Sequence, residues 1–416
     1  MNFAVDLLSF ASVMKSIGGV VLAIVILLAM VTIHEFGHYV AGKLLGFKIN
    51  EFAVGFGPAI FKKRSKKTGE LFALRVIPLG GYCAFDGEDD GDDGIQEVLP
   101  SEIVDDGPLT EDGLFVNAEE RQIEKTETVE SEYPEPKGER FNDQPPWKRI
   151  IVLIAGATMN YLLALVLILI MFTCVGRPLY KTVVEKPEET AAATEVVLER
   201  TEESDVRLQT GDVILKVDGK NVYMVTDYID ALDGKSAGEE VPLLVLRDGV
   251  ETTVYMVLAQ DADFANMSDT DTLLKAMNIY GLYTVTEKQG FFASFGHSFV
   301  YSFKIGGTVL RSLGELLTGK LGLSAMGGPV TTIKVTSQAA SSGLLSFLNI
   351  AAFIGVNLAV FNLLPIPALD GCKVIFCIIE WIRKKPVNRK VETMIHFLGI
   401  VFLFAFAILV DILQLF

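Results

Sequence analysis

Histidine, tryptophan and cysteine are scarce in this chain of 416 residues, with four, two and four copies respectively. The cysteines, Cys83, Cys174, Cys372 and Cys377, have neither Cys-x-x-Cys spacing nor the density of a disulfide framework. That excludes a thiol zinc module and a stapled secreted domain, and it suits a reduced or membrane-embedded setting. Basic charge is short as well: 36 Lys and Arg stand against 52 Asp and Glu, for a net charge of −16. No cationic field is left for a phosphate backbone, so no nucleic-acid partner is expected. The deficit is local, because Asp86 to Glu132 holds eighteen acidic residues against two basic ones and the rest is close to balanced. A cleavable signal peptide is not expected either, since the first apolar run is too long and lacks a small-residue cleavage site.

Long charge-free apolar runs are present instead. Hydrophobic residues make up 50% of the chain and the mean hydropathy is +0.40. Four runs approach the roughly 20 residues needed to cross a hydrocarbon core of about 30 Å: 17–40, 150–175, 344–365 and 393–410. The chain therefore reads as a polytopic α-helical membrane protein with about four transmembrane helices embedded in a lipid bilayer. Lys43 to Arg75 with Lys148 and Arg149, and Arg383 to Lys390, gather the basic residues near span ends. By the positive-inside rule those two loops face the cytoplasm, which puts both termini and residues of about 176–343 outside.

The first run ends in Val31-Thr-Ile-His34-Glu35-Phe-Gly-His38-Tyr39. On a helix, His34 and His38 lie one turn apart on one face and can share a Zn²⁺, with Glu35 beside the open position of the metal. Two imidazoles and a carboxylate within a membrane-length segment are costly unless they face a protein interior or water and perform chemistry there. Three protein ligands and one water are what a hydrolytic zinc needs. The third is offered by Asn362-Leu-Leu-Pro365-Ile-Pro367-Ala-Leu-Asp370-Gly371. Pro365 and Pro367 unwind the end of the third run, which is tolerated at membrane depth only beside a cavity, and they free Asp370 to turn inward. A helix cap is the other reading for Asp370. Asn362 is placed to hydrogen-bond a scissile carbonyl or to tie helices together. His297 and His396 read as packed residues.

In chain order, 1–45 forms an N-terminal segment and the first transmembrane helix. Residues 46–85 read as a membrane-associated β-hairpin around Gly55, Gly57 and Pro78, whose edge either pairs with an extended substrate or simply caps the site. The acidic insert 86–140 has too little apolar area to order itself. Residues 141–176 carry the second transmembrane helix, with Trp147, Lys148 and Arg149 as interfacial anchors. Residues 177–263, through Leu208-Gln-Thr-Gly211-Asp212 and the helical Thr226 to Leu232, resemble an inserted extracytoplasmic PDZ-like α+β domain. Arg207 stands where such a domain has Gly, which argues for a size gate or spacer over carboxylate capture. A linker with an amphipathic surface helix occupies 264–343, the third transmembrane helix 344–371, a cytoplasmic loop 372–392 and the fourth transmembrane helix 393–416.

Taken together, the His34 to His38 helix, the Gly55 to Tyr82 hairpin, the embedded PDZ-like domain and the Asn362 to Gly371 stretch resemble a bacterial site-2 protease, the RseP-type zinc intramembrane metalloprotease family. The resemblance implies His34, His38 and Asp370 as zinc ligands, Glu35 as catalytic base and Asn362 in substrate handling. Gly55, Gly57, Pro365 and Pro367 join Asn362 as the expected substrate-binding residues. It further implies cleavage of single-pass membrane substrates, such as trimmed anti-sigma factors or signal-peptide remnants, and the positive-inside assignment puts the site near the cytoplasmic side. Ala155-Gly156-Ala157-Thr-Met-Asn160 departs from the Gly-Pro often found there, and one PDZ-like domain replaces two. A catalytically inactive PDZ-containing adaptor is the rival from another class.

Overall fold

The computed structural model describes residues 2–88, 133–184, 206–260, 270–320, 322–323 and 326–414, without the side chains of 2–16, Pro78 and Leu79. In chain order these form α1 (Asn2–Leu45), β1 (Ile49–Arg64), β2 (Leu71–Phe85), α2 (Pro146–Ile170), β3 (Arg177–Val183), β4 (Val213–Val217), β5 (Lys220–Asn221), α3 (Thr226–Leu232), β6 (Glu240–Arg247) and β7 (Val250–Val257). There follow α4 (Thr270–Ala276), β8 (Gly281–Glu287), α5 (Phe291–Leu317), α6 (Pro329–Ser342), α7 (Leu344–Asn362), α8 (Asp370–Arg383) and α9 (Arg389–Leu413). Among the described residues, four helical segments are long and apolar enough to span a bilayer: Ile17–Leu45, Pro146–Val175, Leu344–Asn362 and Arg389–Leu413. They are the four apolar runs of the sequence, and the chain is a multi-pass membrane protein.

Contacts divide the chain into two compact units, the first being 1–163, 318–341 and 354–416. Here α1 holds no proline and runs unbroken until Gly46, whose φ of +81° ends it. The hairpin that follows is more than two straight strands. Both strands bend, at Gly55 (φ +86°), Gly57 (φ +82°) and Gly80 (φ +109°). As a result Glu51 to Val54 faces Gly81 to Ala84 on one side and Leu71 to Leu74 on the other, and Leu71 to Leu74 also meets Phe61 to Arg64. A buried Glu70 fastens this sheet to α1, accepting from Tyr39 Oη and Thr68 Oγ1 at 3.0 Å each and pairing with Lys43.

Most of the acidic insert, 89–132, lies outside the described residues. Its two ends are ordered and joined, since Phe141 N–H donates to Asp86 O at 2.7 Å and Lys48 N–H to Glu139 O at 2.9 Å. Phe47, Phe85 and Phe141 pack together beneath that neck.

The region 372–392, expected as a loop, is helical as far as Arg383: after the break at 363–369 the chain re-enters a helix at Asp370. The basic cluster that suggested a loop begins only at the end of that helix, where Lys384 takes a left-handed φ of 53°. Arg149, 1% exposed, reaches across from α2 to Glu380 of α8 at 2.9 Å.

The second unit comprises 164–317 and 342–353. Its six-stranded antiparallel sheet has the order β7-β6-β4-β3-β8, with β5 on β4. Alternating strand residues such as Val241, Leu243 and Val245 are fully buried against Tyr228 and Leu232 of α3 and Leu273 of α4. The sheet continues beyond 263, because β8 pairs along the whole of β3 from Arg177↔Glu287 to Val183↔Gly281. The region expected to be a linker with one helix, 264–343, thus contributes a strand and the helices α4, α5 and α6. Desolvation raises the phenol of Tyr180, packed on this core, to about 12.

Asp212 organises one end of the sheet. Its carboxylate, 2% exposed, accepts from Arg247 Nε at 2.8 Å and Nη2 at 2.7 Å and from Gln209 N–H at 2.9 Å. Removing one partner of a buried bidentate pair leaves the other uncompensated, at a cost of about 3–5 kcal/mol. Asp212→Asn should lower the urea midpoint of this unit by a corresponding amount, and Arg247→Lys, which keeps the charge but loses the fork, should fall between. Limited proteolysis across a urea series measures both.

Candidate metal centre

Three ligand atoms converge between α1, α2 and the start of α8. His34 and His38 sit one turn apart on α1, 8% and 7% exposed. Asp370 is the first residue of α8. The Nε2 atoms of the two histidines are 3.1 Å apart, and Asp370 Oδ2 lies 3.1 Å from His34 Nε2 and 3.4 Å from His38 Nε2. A tetrahedral Zn²⁺ with ligands about 2.0–2.1 Å away would space them about 3.3 Å apart, so the three atoms already stand near the corners such an ion requires. Asp370 Oδ2 is buried and has no hydrogen-bond partner of its own, as expected of an atom that donates electrons to a cation.

The second nitrogen of each ring supports that assignment. His38 Nδ1 is 2.8 Å from the Val152 carbonyl, an acceptor, so Nδ1 carries the proton and Nε2 presents its lone pair. His34 Nδ1 faces the side-chain amide of Asn160 at 3.4 Å, and the buried Asn160 Oδ1 is otherwise unpartnered. Turning that amide over puts Oδ1 against His34 Nδ1–H, which satisfies both groups and again frees Nε2. Gly156 allows the rings to sit where they do, because a methyl in its place would strike His34 Cε1 at 2.8 Å and collide with His38 Nε2. Gly37 does the same in return, its missing side chain admitting the Ala155 carbonyl.

Glu35 projects beside the trio. Cys83 of β2 lines the same cavity as its carboxylate. A cavity of about 560 Å³ opens between Glu35, His38, Asp370 and the β2 stretch from Tyr82 to Phe85. Gly81 lies against Glu35, where a methyl would come within 3.4 Å of Glu35 Cγ.

Of the other expected site residues, Gly55 and Gly57 mark the bend of β1, and neither lines the cavity. Asn362 is the last residue of α7 and, among the described residues, makes no hydrogen bond to the three ligand atoms. Pro365 and Pro367 occupy the break that swings the chain from α7 to Asp370. That break is held from α9. The Ala368 N–H, on a residue with φ of +80°, donates to His396 Nδ1 at 3.2 Å, and Gly399 admits Pro367 with no room for a side chain. Sequence reasoning marked His396 only as a packed residue and Gly156 and Asn160 only as a departure from Gly-Pro, and it did not point to Gly399. An amide in an apolar run was the one signal that pointed to Asn160.

Two imidazoles and a carboxylate, set between helices long and apolar enough to span a membrane, form a group that could hold a metal ion, with a glutamate beside it. The chain belongs to Peptidase family M50, which it matches over residues 22–406. It is similar to the zinc metalloprotease RasP of Bacillus licheniformis, at 28% identity over 95% of this chain and 99% of that one. Similarity to the regulator of sigma-W protease RasP of Bacillus subtilis is also 28%, with the same coverage of both chains. The zinc metalloprotease RasP of Geobacillus kaustophilus is 27% identical over 92% of this chain and 94% of its own. The protein is thus a zinc metalloprotease of the site-2 protease type.

Partners of metal-binding imidazoles typically contribute 10–100-fold to metal affinity. Asn160→Leu should therefore retain zinc about 10–100-fold less well, and Gly156→Val should lose it outright. Thr158→Ala, on an exposed position of the same helix, should not differ from the parent. Metal per protein after dialysis against a graded chelator measures all three.

Proposed function

We propose that the protein is a zinc-dependent intramembrane endopeptidase that cuts the transmembrane segments of membrane-anchored regulators, of the trimmed anti-sigma-factor type, or signal-peptide remnants. The observation that carries this reading is the meeting of His34 Nε2, His38 Nε2 and Asp370 Oδ2 beside Glu35 in one cavity. In this reading His34, His38 and Asp370 hold the zinc. Bound there, Zn²⁺ supplies Lewis acidity toward water and toward a peptide carbonyl. Glu35 accepts the proton of the attacking water and returns it to the leaving amide nitrogen, so that each step passes through the one carboxylate next to the ligands.

A helical substrate hides its carbonyls in backbone hydrogen bonds, so it must unwind before attack. The Gly81 to Ala84 stretch has Glu51 to Val54 on one edge and, among the described residues, no strand on the other. We read that free edge, which lines the cavity, as the place where an unwound segment is held extended by strand addition. Gly55 and Gly57 serve it by shaping the bend, and Pro365 and Pro367 by presenting Asp370. Asn362 stays assigned to substrate handling. The antiparallel sheet of 177–287 is read as the PDZ-like, extracytoplasmic part, acting as a size gate or spacer, while the basic loops put the site near the cytoplasmic side. The Bacillus subtilis relative is named as the regulator of sigma-W protease, which favours a membrane-anchored regulator as substrate.

Glu35→Gln should retain zinc at the parent level and lose cleavage of a reconstituted single-pass substrate by roughly 10²–10⁴-fold, the range typical of a general base. Placing a helix-breaking Gly or Pro pair in the substrate segment should speed the parent enzyme and leave the variant inactive. Cleavage that survives in the variant would remove Glu35 from the mechanism.

A further inference from the structure

A second cavity lies beyond one ion pair. Lys373 Nζ meets Glu88 Oε1 at 2.7 Å, and both residues line the metal cavity and also a neighbouring one of about 370 Å³. No step of the proteolytic mechanism uses this neighbour. It lies where the start of α2, the middle of α8 and the first three turns of α9 come together.

Arg149 is the residue that makes this cavity unusual. It lines the space and is 1% exposed, yet among the described residues only Nη2 has a partner, Glu380 Oε2 at 2.9 Å. Nε and Nη1 are buried with none. A guanidinium offers five N–H donors, and buried donors in native proteins are nearly always satisfied. Two more cations share the lining. Arg389 holds Glu392 at 2.8 Å and Glu380 at 3.6 Å, and Lys373 holds Glu88. Charge is thus roughly balanced by carboxylates already engaged, and what Arg149 still lacks is acceptor oxygen.

The wall below this polar end is apolar and open. Thr393, Phe397 and Ile400 follow one another at helical spacing along α9 and line the same cavity. Phe397 is 62% and Ile400 46% exposed on a helix long and apolar enough to span the bilayer. The polar end is level with the start of α2, where the half-exposed Trp147 is suited to the membrane interface. Basic pockets between spanning helices at that depth are suited to lipid headgroups. An acceptor-rich head against arginine and a chain along an exposed apolar stripe is the chemistry of a phospholipid. Inorganic phosphate would leave the stripe unused. A choline or ethanolamine ammonium supplies no acceptor to Arg149 and would compete with it for Glu380, which Arg389 already shares, so the headgroup should carry no charge besides its phosphate.

We propose that the cavity beside Arg149 binds the phosphate of one anionic phospholipid, whose acyl chain lies along Thr393, Phe397 and Ile400 of α9.

The test uses the full chain, delipidated in a neutral detergent and titrated with phosphatidylglycerol, phosphatidylcholine or glycerol phosphate under native mass spectrometry. The parent protein should retain one phosphatidylglycerol at least tenfold more tightly than phosphatidylcholine. Arg389→Gln, which removes one cation, and Thr393→Trp, which fills the mouth from an exposed position, should each weaken that binding about tenfold or more. Thermal melting of both variants identifies any that fail to fold, and the other then decides. Equal retention of the two lipids, or unchanged binding in the folded variants, would overturn the proposal. Binding of glycerol phosphate as tight as that of the lipid would overturn it too, by showing a small-anion site with no role for the acyl stripe.

Discussion

Three electron-pair donors must come within about 3 Å of one another inside an apolar layer, and that requirement shapes the first unit. Two of them cost the chain nothing in geometry, since His34 and His38 are neighbours on one helical face. The third has to come from a separate helix, and a regular spanning helix would keep its backbone carbonyls closed and its side chains in register. The chain meets the requirement by ending α7 at Asn362 and restarting at Asp370. The seven residues between keep a few local backbone hydrogen bonds, such as Leu364 N–H to Phe361 O at 2.9 Å, and are also held from outside by His396 and Gly399. Ligand placement is therefore a property of α9 as much as of α8.

A second layer of contacts fixes which nitrogen of each imidazole faces the centre. A carbonyl of α2 does this for His38, and an amide of α2 does it for His34. Both act through a helix crossing so close that glycine is needed on each side, Gly37 on α1 and Gly156 on α2. Packing and protonation are consequently one problem here: widening the crossing by a methyl group would move the acceptors away from both rings at once. The β2 stretch from Tyr82 to Phe85 completes the arrangement by lining the same cavity as Glu35.

Legibility in the sequence followed the range of the interaction. The spans were visible because their signal is a local sum of hydropathy, and the histidine pair because its spacing is covalent. Asp370 could be found because two prolines within three residues force a break, and a break at membrane depth needs a purpose. The contacts of Asn160 and Gly156 were not legible, because they join positions more than a hundred residues apart, and an amide in an apolar run announces that a partner is needed but not which one. The helix α8 was missed for a local reason: Arg383, Lys384 and Lys385 weigh on any window that includes them, although they only terminate it. In the hairpin the glycines were visible, but not that each strand would bend and give the sheet two further rows. The last strand of the second unit was hidden by its distance from β3, the strand it pairs with.

The joined neck at Asp86, Glu139 and Phe141 has its own consequence. Among the described residues the chain leaves and re-enters at one point, so those hydrogen bonds close a loop there, and closure entropy grows just logarithmically with loop length. Length and composition can therefore drift there without altering the register between α1 and α2. A protease whose reactive centre tolerates no slack thus carries, a few residues away, a position where whole modules could be exchanged at almost no thermodynamic penalty.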